Sequence, residues 1–199
     1  MKSLRAQYAQ QKEKLSSRLK EFKSLSSEQQ YKELLFCLLT PQSSAQRCWQ
    51  AVEEISKLQK LEHNKVLEIL SKKTRFHHTK AKRILQAPQT WKKISPLLKN
   101  PDKKELRNQI ALEVSGFGLK ESSHFLRNIG LSDNKIAILD RHILKNLQLN
   151  NIITETKIKS KKHYLEIESL FLNFSKQINI PADELDLLWW SRENGEIFK

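Results

Sequence analysis

Two side chains in this sequence pair a nucleophile with a charge-stabilising carboxylate: Lys120 in VSGFGLKESSHFLRNIG and Asp140 in KIAILDRHILKNL. An amine attacks an electrophilic carbon only when it is unprotonated, and a carboxylate beside it stabilises positive charge developing there. Together they suit attack at the anomeric carbon of a nucleotide. The carboxylate would stabilise charge on the sugar while the amine displaces the base and forms a Schiff base. Lys120 falls in the first turn of a predicted helix, where the positive end of the helix dipole disfavours a protonated amine, and partial burial would push the same way. Asp140 also reads as the N-cap of the helix that follows it, and one residue can do both jobs.

The elements that must position this pair are helices. Apolar residues recur at three- and four-residue spacings and no segment sustains the alternation of a strand, which predicts an all-α protein. Asn100, as N-cap, and Pro101 predict the start of a helix carrying Leu106, Ile110, Leu112 and Val114. That helix ends at Gly116 and Gly118, two of only four glycines in the chain, and a second helix runs from Leu119 to Ile129. Helix, glycine turn and helix make a helix-hairpin-helix. Its glycines permit positive φ and leave backbone amides bare, so that a DNA phosphate can approach the start of the second helix. A tight turn between helices needs glycine for steric reasons too, so the GxG alone leaves both readings standing. Upstream, Ser26 and Gln29 form a capping box ahead of YKELLFCLL, a helix apolar on most sides and therefore central, and Ser43 with Gln46 repeats the signature. The turn TPQS between these helices places Gln42 at its tip, after Pro41. Leu4, Tyr8, Leu15, Leu19 and Phe22 give the N-terminal segment one apolar face, that of a basic helix lying on the body.

With 199 residues, 38% of them apolar, the chain can bury a core as one domain or one unit of two lobes. Lys and Arg number 36 against 22 Asp and Glu, a net charge of +14 that points to an anionic partner, nucleic acid first. Lys72, Lys73, Lys80, Lys82, Arg83 and Arg127 are the residues expected to face it. No apolar run approaches the length of about 18 residues that a membrane span needs, and the basic Met1 to Phe22 segment lacks the apolar stretch of a signal peptide. The expectation is therefore an intracellular, cytoplasmic and nucleoid-associated protein. Cys37 and Cys48 have no second pair with which to hold zinc or an iron-sulfur cluster, so buried, reduced thiols are expected. His77 and His78, adjacent on a helix, should point in different directions and make a poor metal pair.

SGFGLKESSHFLRNIG followed by AILDRHILKNL resembles the catalytic signature of the helix-hairpin-helix DNA glycosylases, and among them the small, archaeal-type 8-oxoguanine DNA glycosylase/AP lyases. LLTPQSSAQ, RFHHTKAKRI and LDLLWWSRENGEIFK extend the resemblance over most of residues 30 to 199. It implies a two-lobed fold with the active site in the interlobe cleft. One lobe would comprise about 1–30 with 150–199 and the other about 31–149, including the hairpin at 104–129. It further implies a monomeric, bifunctional enzyme that excises 8-oxoguanine from double-stranded DNA and then cuts the abasic strand by β-elimination. Lys120 matches the Schiff-base lysine and Asp140 the assisting aspartate.

The same resemblance implies further site residues. Gln42 matches a residue that fills the gap left by the extruded base, although an exposed polar turn residue would look the same. A flipped base is recognised by stacking and by polar groups, and Trp190 and Asp186, four apart on one helix face, are suited to supply one of each. The alternative is that Trp189 and Trp190 are core aromatics. Lys199, the last residue, would reach back to the base pocket and help tell 8-oxoguanine from guanine. Arg75 and Phe76 would contact the lesion or the opposite base, or serve the fold alone. Gly116 and Gly118 would meet a phosphate, and His142 would do so or cap local backbone. No metal or other cofactor is implied beyond a monovalent cation on hairpin carbonyls. Two alternatives stay open. A related glycosylase of other lesion specificity is disfavoured by the missing iron-sulfur cysteines and the terminal lysine. A non-enzymatic DNA-binding module is disfavoured because a carboxylate facing DNA would only weaken binding.

Overall fold

A computed structural model describes residues 2–199, with side chains described for 4–192 and 195–199. Its elements are α1 (Lys2–Lys23), α2 (Ser27–Leu39), α3 (Ala45–Ser56), α4 (His63–Ser71), α5 (His77–Ile94), a 3-10 turn (Ser95–Lys99), α6 (Lys103–Glu113), α7 (Leu119–Asn128), α8 (Arg141–Leu149), α9 (Lys161–Gln177) and α10 (Ala182–Asn194). Among the described residues there is no strand, and the all-α expectation holds. Contacts divide the chain into two units, Leu25–Phe125 and Met1–Ser24 with Leu126–Lys199.

The Leu25–Phe125 unit is organised by α2. Every residue from Glu33 to Leu39 is buried, because a helix apolar on most sides is satisfied only when neighbours surround it. Its start is the expected capping box: the Ser26 hydroxyl accepts from Gln29 N–H, and the Gln29 side chain accepts from Ser26 N–H. Phe36 meets Trp49 and His124 edge-on at 5.8 and 5.7 Å, and Cys37 and Cys48 are buried in the same core without a disulfide. Two helix starts differ from expectation. α3 is preceded by Ser44 as N-cap, not Ser43. α6 is capped by Asp102, whose Oδ1 accepts from Lys104 and Glu105 N–H, while Asn100 accepts from Asp102 N–H. The aspartate stands closer to the helix and offers its orphan amides a charged acceptor at the positive end of the dipole.

In the other unit α1 packs on α10, and α10 in turn packs on α8 and α9. Leu4, Leu15 and Phe22 form the buried face of α1, and Trp189 is enclosed between Phe171 and Phe174, each with its ring centroid 5.9 Å away. The irregular stretch that leads to Asp140 is fixed by side chains. Its Ile136, Ala137, Ile138 and Leu139 are buried, the Ala137 N–H donates to Glu168 at 2.8 Å, and Tyr164 donates to the Ala137 carbonyl at 2.7 Å. Asp183 receives Ser132 Oγ at 2.7 Å and Asn134 N–H at 3.1 Å. Burial raises the pKa of this carboxyl, and those two hydrogen bonds oppose the shift.

Gly130 ends α7 in a Schellman motif, in which Leu131 N–H bonds to the Leu126 carbonyl and Gly130 N–H to that of Arg127. Its φ is +71°, and a Cβ there would stand 2.6 Å from the Lys23 Cα. Backbone cannot rotate away as a side chain can. Gly130→Ala is therefore expected to cost about 2–4 kcal/mol, combining the left-handed penalty with overpacking. Thermal unfolding measures this, and a wild-type midpoint in the variant would mean that the contact with Lys23 is not made.

Candidate active site

The hairpin of α6 and α7 forms as expected, and its two glycines differ. Gly116 has φ +93°, whereas Gly118 is not in the left-handed region. A Cβ on Gly116 would lie 2.2 Å from the Arg83 guanidinium carbon, so the bare glycine also lets that cation approach the turn. Ser115, Gly116 and Gly118 are exposed. The Gly118 amide is not bare, however: it donates to Glu121 Oε2 at 3.2 Å. The other oxygen of this carboxylate receives Lys120 Nζ at 3.1 Å, with the Lys120 side chain one-third exposed. Glu121 thus spans the Gly118 amide and the Lys120 amine, one carboxylate oxygen on each.

Gln42 lies at the tip of its turn as read from the sequence, exposed, with φ 56°. The turn is closed by Ser43 N–H on the Thr40 carbonyl at 3.0 Å. Arg75 and Phe76 are exposed in the turn between α4 and α5, Phe76 by 56%, with the Arg75 guanidinium 5.7 Å from the Phe76 ring. The basic face is smaller than expected. Lys80 is buried, Lys73 pairs with Glu54 and Arg83 lies against the hairpin, while Lys82 and Lys72, the latter paired with Glu68, stay exposed. Burial pushes Lys80 down to about 8, with Cys48 opposing and Arg83 adding to the shift; burial pushes the Cys48 thiol up to about 11. His77 and His78, the first two residues of α5, lie with ring centroids 4.6 Å apart rather than diverging. Among the described residues no group of three or more His, Cys, Asp or Glu is placed to hold a metal, and no helix is long and apolar enough to cross a membrane.

Asp140 is the N-cap of α8. Its Oδ1 accepts from His142 and Ile143 N–H, both at 2.8 Å, so the cap employs one carboxylate oxygen and leaves Oδ2 outside it. The half-buried His142 also accepts, at Nε2, from Arg141 Nε at 3.2 Å. Asp186 is only 6% exposed and is paired with Arg127 at 3.1 Å. Burial raises Asp186 to about 7; Arg127 opposes that shift, and Asp140 and Asp183 add to it. Arg127, expected on the DNA-facing surface, is itself 3% exposed and lies 5.6 Å over the Phe22 ring. The two tryptophans separate: Trp189 is wholly buried in the core, and Trp190 is half-buried and stacked on Phe198. The tail is tied down by Arg18 Nε, which donates to the Phe198 carbonyl at 2.7 Å, and Lys199 is only 7% exposed.

The profile of the 8-oxoguanine DNA glycosylase family matches residues 15–180. The chain belongs to this family. An 8-oxoguanine DNA glycosylase/AP lyase of Fusobacterium nucleatum is 37% identical over 205 residues, covering 96% of this chain and 94% of the relative. The crystal structure of the Methanocaldococcus jannaschii 8-oxoguanine glycosylase/lyase in complex with a 15mer DNA containing 8-oxoguanine matches with a TM-score of 0.87 at 31% identity, covering 100% of both chains. The 8-oxoguanine DNA glycosylase of Thermotoga maritima matches with a TM-score of 0.89 at 31% identity, covering 100% of this chain and 97% of that one.

In this member of the 8-oxoguanine DNA glycosylase family the sequence reading missed Glu121, Ser43 and Lys80 as structural partners of site residues. A signal existed for Glu121, three residues after Gly118, where a glutamate reaches back to an N-cap amide. Nothing local pairs Lys80 with Ser43, 37 residues away.

Proposed function

We infer that the protein is a DNA glycosylase/AP lyase that excises 8-oxoguanine from double-stranded DNA. The observation that carries this reading is family membership over nearly the whole chain, in a sequence that sets Lys120 in the first turn of the hairpin's second helix and Asp140 at the N-cap of α8. The hairpin backbone takes a phosphate in place of Glu121, which frees Lys120. Gln42 fills the gap as the lesion is turned out, and Arg75 and Phe76 meet the DNA beside it. Trp190 stacks on the flipped base while Lys199 reads its edge. Lys120 Nζ attacks C1′, the glycosidic bond breaks with its electron pair leaving on the base, and Asp140 stabilises positive charge on the sugar. The attached nitrogen gives up one proton, which the departing base takes, and its lone pair then expels O4′: the C1′–O4′ bond breaks, O4′ takes up a proton and a protonated imine is left on C1′. A C2′ proton is then removed and the C3′–O bond breaks with its electron pair leaving on the 3′ phosphate. A monovalent cation on hairpin carbonyls near the exposed Ser115 and Gly116 would add positive charge beside the phosphate, and no step depends on it.

The test is borohydride trapping on duplexes carrying one 8-oxoguanine, one thymine glycol, one abasic site or none. An adduct with the 8-oxoguanine duplex is expected. An adduct confined to thymine glycol would assign another lesion, and no adduct with any duplex would leave a DNA-binding module. The duplex dissociation constant is also expected to rise by roughly tenfold or more between 50 and 200 mM salt, through counterion release. Titrations at several salt concentrations check this, and a flat profile would contradict a phosphate-dominated interface.

A further inference from the structure

Two non-glycine residues of the Leu25–Phe125 unit hold left-handed backbone at exposed turns, Gln42 and Phe76, each with φ 56°. That region is sparsely populated for residues of this size and persists only where the surroundings impose it. One buried side chain holds the first turn directly and reaches the second through Ser43. Lys80, near the start of α5, is 2% exposed, and its Nζ donates to the Leu39 carbonyl at 2.7 Å, the Pro41 carbonyl at 2.9 Å and Ser43 Oγ at 2.9 Å. An ammonium has three donors, and this turn offers it three acceptors. Two of them, on Pro41 and Ser43, flank Gln42. Ser43 Oγ also accepts from Arg75 N–H at 3.0 Å, and Lys80 N–H donates to the Phe76 carbonyl at 3.0 Å. The two turns are therefore joined through one hydroxyl and one lysine.

A β-turn alone does not call for this arrangement. Glycine at position 42 would close the same turn without strain, and burying an ammonium is costly unless every proton is satisfied. What the arrangement supplies is rigidity in two side chains that point outward from adjacent turns.

We propose that Lys80 and Ser43 are positioning residues that lock the Gln42 turn and the Arg75–Phe76 turn into one preformed unit, which engages duplex DNA as a base is turned out. The proposal rests on the glycosylase reading above and assigns the extrusion step its support. Turning a base out forfeits its stacking and pairing, and contacts already held in place offset that loss without an ordering cost of their own. An abasic sugar has no base to unstack, so attack on it needs this unit far less.

Ser43→Ala removes the shared hydroxyl with little change of volume, Ser43→Thr restores it, and Lys80→Met removes the ammonium. Three measurements are made on each full-length variant: hydrogen exchange at the Arg75 amide, single-turnover excision of 8-oxoguanine, and trapping on a preformed abasic duplex. Ser43→Ala is expected to expose the Arg75 amide and to slow excision by roughly 10- to 100-fold, the scale of a misplaced positioning group. Its abasic trapping stays within about twofold of wild type, and Ser43→Thr restores excision. Lys80→Met, compared at a temperature well below its unfolding midpoint, shows the same split. Adding Ser43→Ala to a Gln42→Ala and Phe76→Ala background slows excision no further.

Excision and trapping falling together in Ser43→Ala would mean a general structural role and would overturn the proposal, as would unchanged excision. Failure of the wild-type protein to excise 8-oxoguanine would count against the activity reading instead. The network would then be decided by hydrogen exchange alone, and equal Arg75 protection in wild type and Ser43→Ala would overturn it.

Discussion

Lys120→Gln is expected to abolish both 8-oxoguanine excision and the borohydride-trapped adduct, lowering the single-turnover rate by roughly four orders of magnitude or more, the scale of losing a nucleophile. Glutamine has nearly the length of lysine and none of its nucleophilicity. The fold should hardly notice the change. The Lys120 side chain is one-third exposed, its partner is the neighbouring Glu121, and an exposed pair of this kind is worth about 0–1 kcal/mol. Glu121 keeps its bond to the Gly118 amide in the variant, so the start of α7 stays capped. Duplex affinity should therefore remain within a few-fold of wild type. Gel assays of excision, trapping and binding on one protein preparation check all three statements. Cleavage at the wild-type rate would mean that another amine is the nucleophile, and loss of binding together with activity would mean that Lys120 is a phosphate contact.

Asp140→Asn separates the two readings that the sequence left open for this residue. As a helix cap, asparagine is as good as aspartate, and the bonds that Asp140 Oδ1 accepts from His142 and Ile143 N–H can be kept by an amide oxygen. Stability should change by a few tenths of a kcal/mol. As a charge stabiliser, asparagine has nothing to offer a sugar that is becoming positive, so excision should fall by roughly 10²- to 10³-fold. Asp140→Ala should lose activity and about 1 kcal/mol of stability as well, since it removes both functions. Unfolding midpoints measured beside single-turnover rates decide the matter. Wild-type excision by Asp140→Asn would reduce Asp140 to a cap.

Much of the fold and part of the site were legible because they depend on near neighbours in the chain. The capping box at Ser26, the central helix that follows it and the turn that exposes Gln42 each arise within a few residues. The hairpin is equally local, down to the positive φ of Gly116. The misplaced helix starts are local too: Asn100 and Asp102 both look like caps, and the charged residue nearer the helix won. Glu121 could have been found on the same grounds, since it reaches only three residues back.

What the sequence determined by itself is the helical pattern and the position along it of Lys120, Asp140 and the hairpin, because periodicity, caps and turns are short-range properties of the chain. Only the tertiary structure decided which charges face water. Lys80 and Arg127 look like members of a basic face, yet each is buried: Lys80 on acceptors 37 to 41 residues away, and Arg127 on Asp186. It also decided that Trp189 fills the core while Trp190 stacks on the tail. A charge or an aromatic ring is buried or exposed according to the partners that packing brings to it, and those partners lie too far along the chain for any local pattern to reveal.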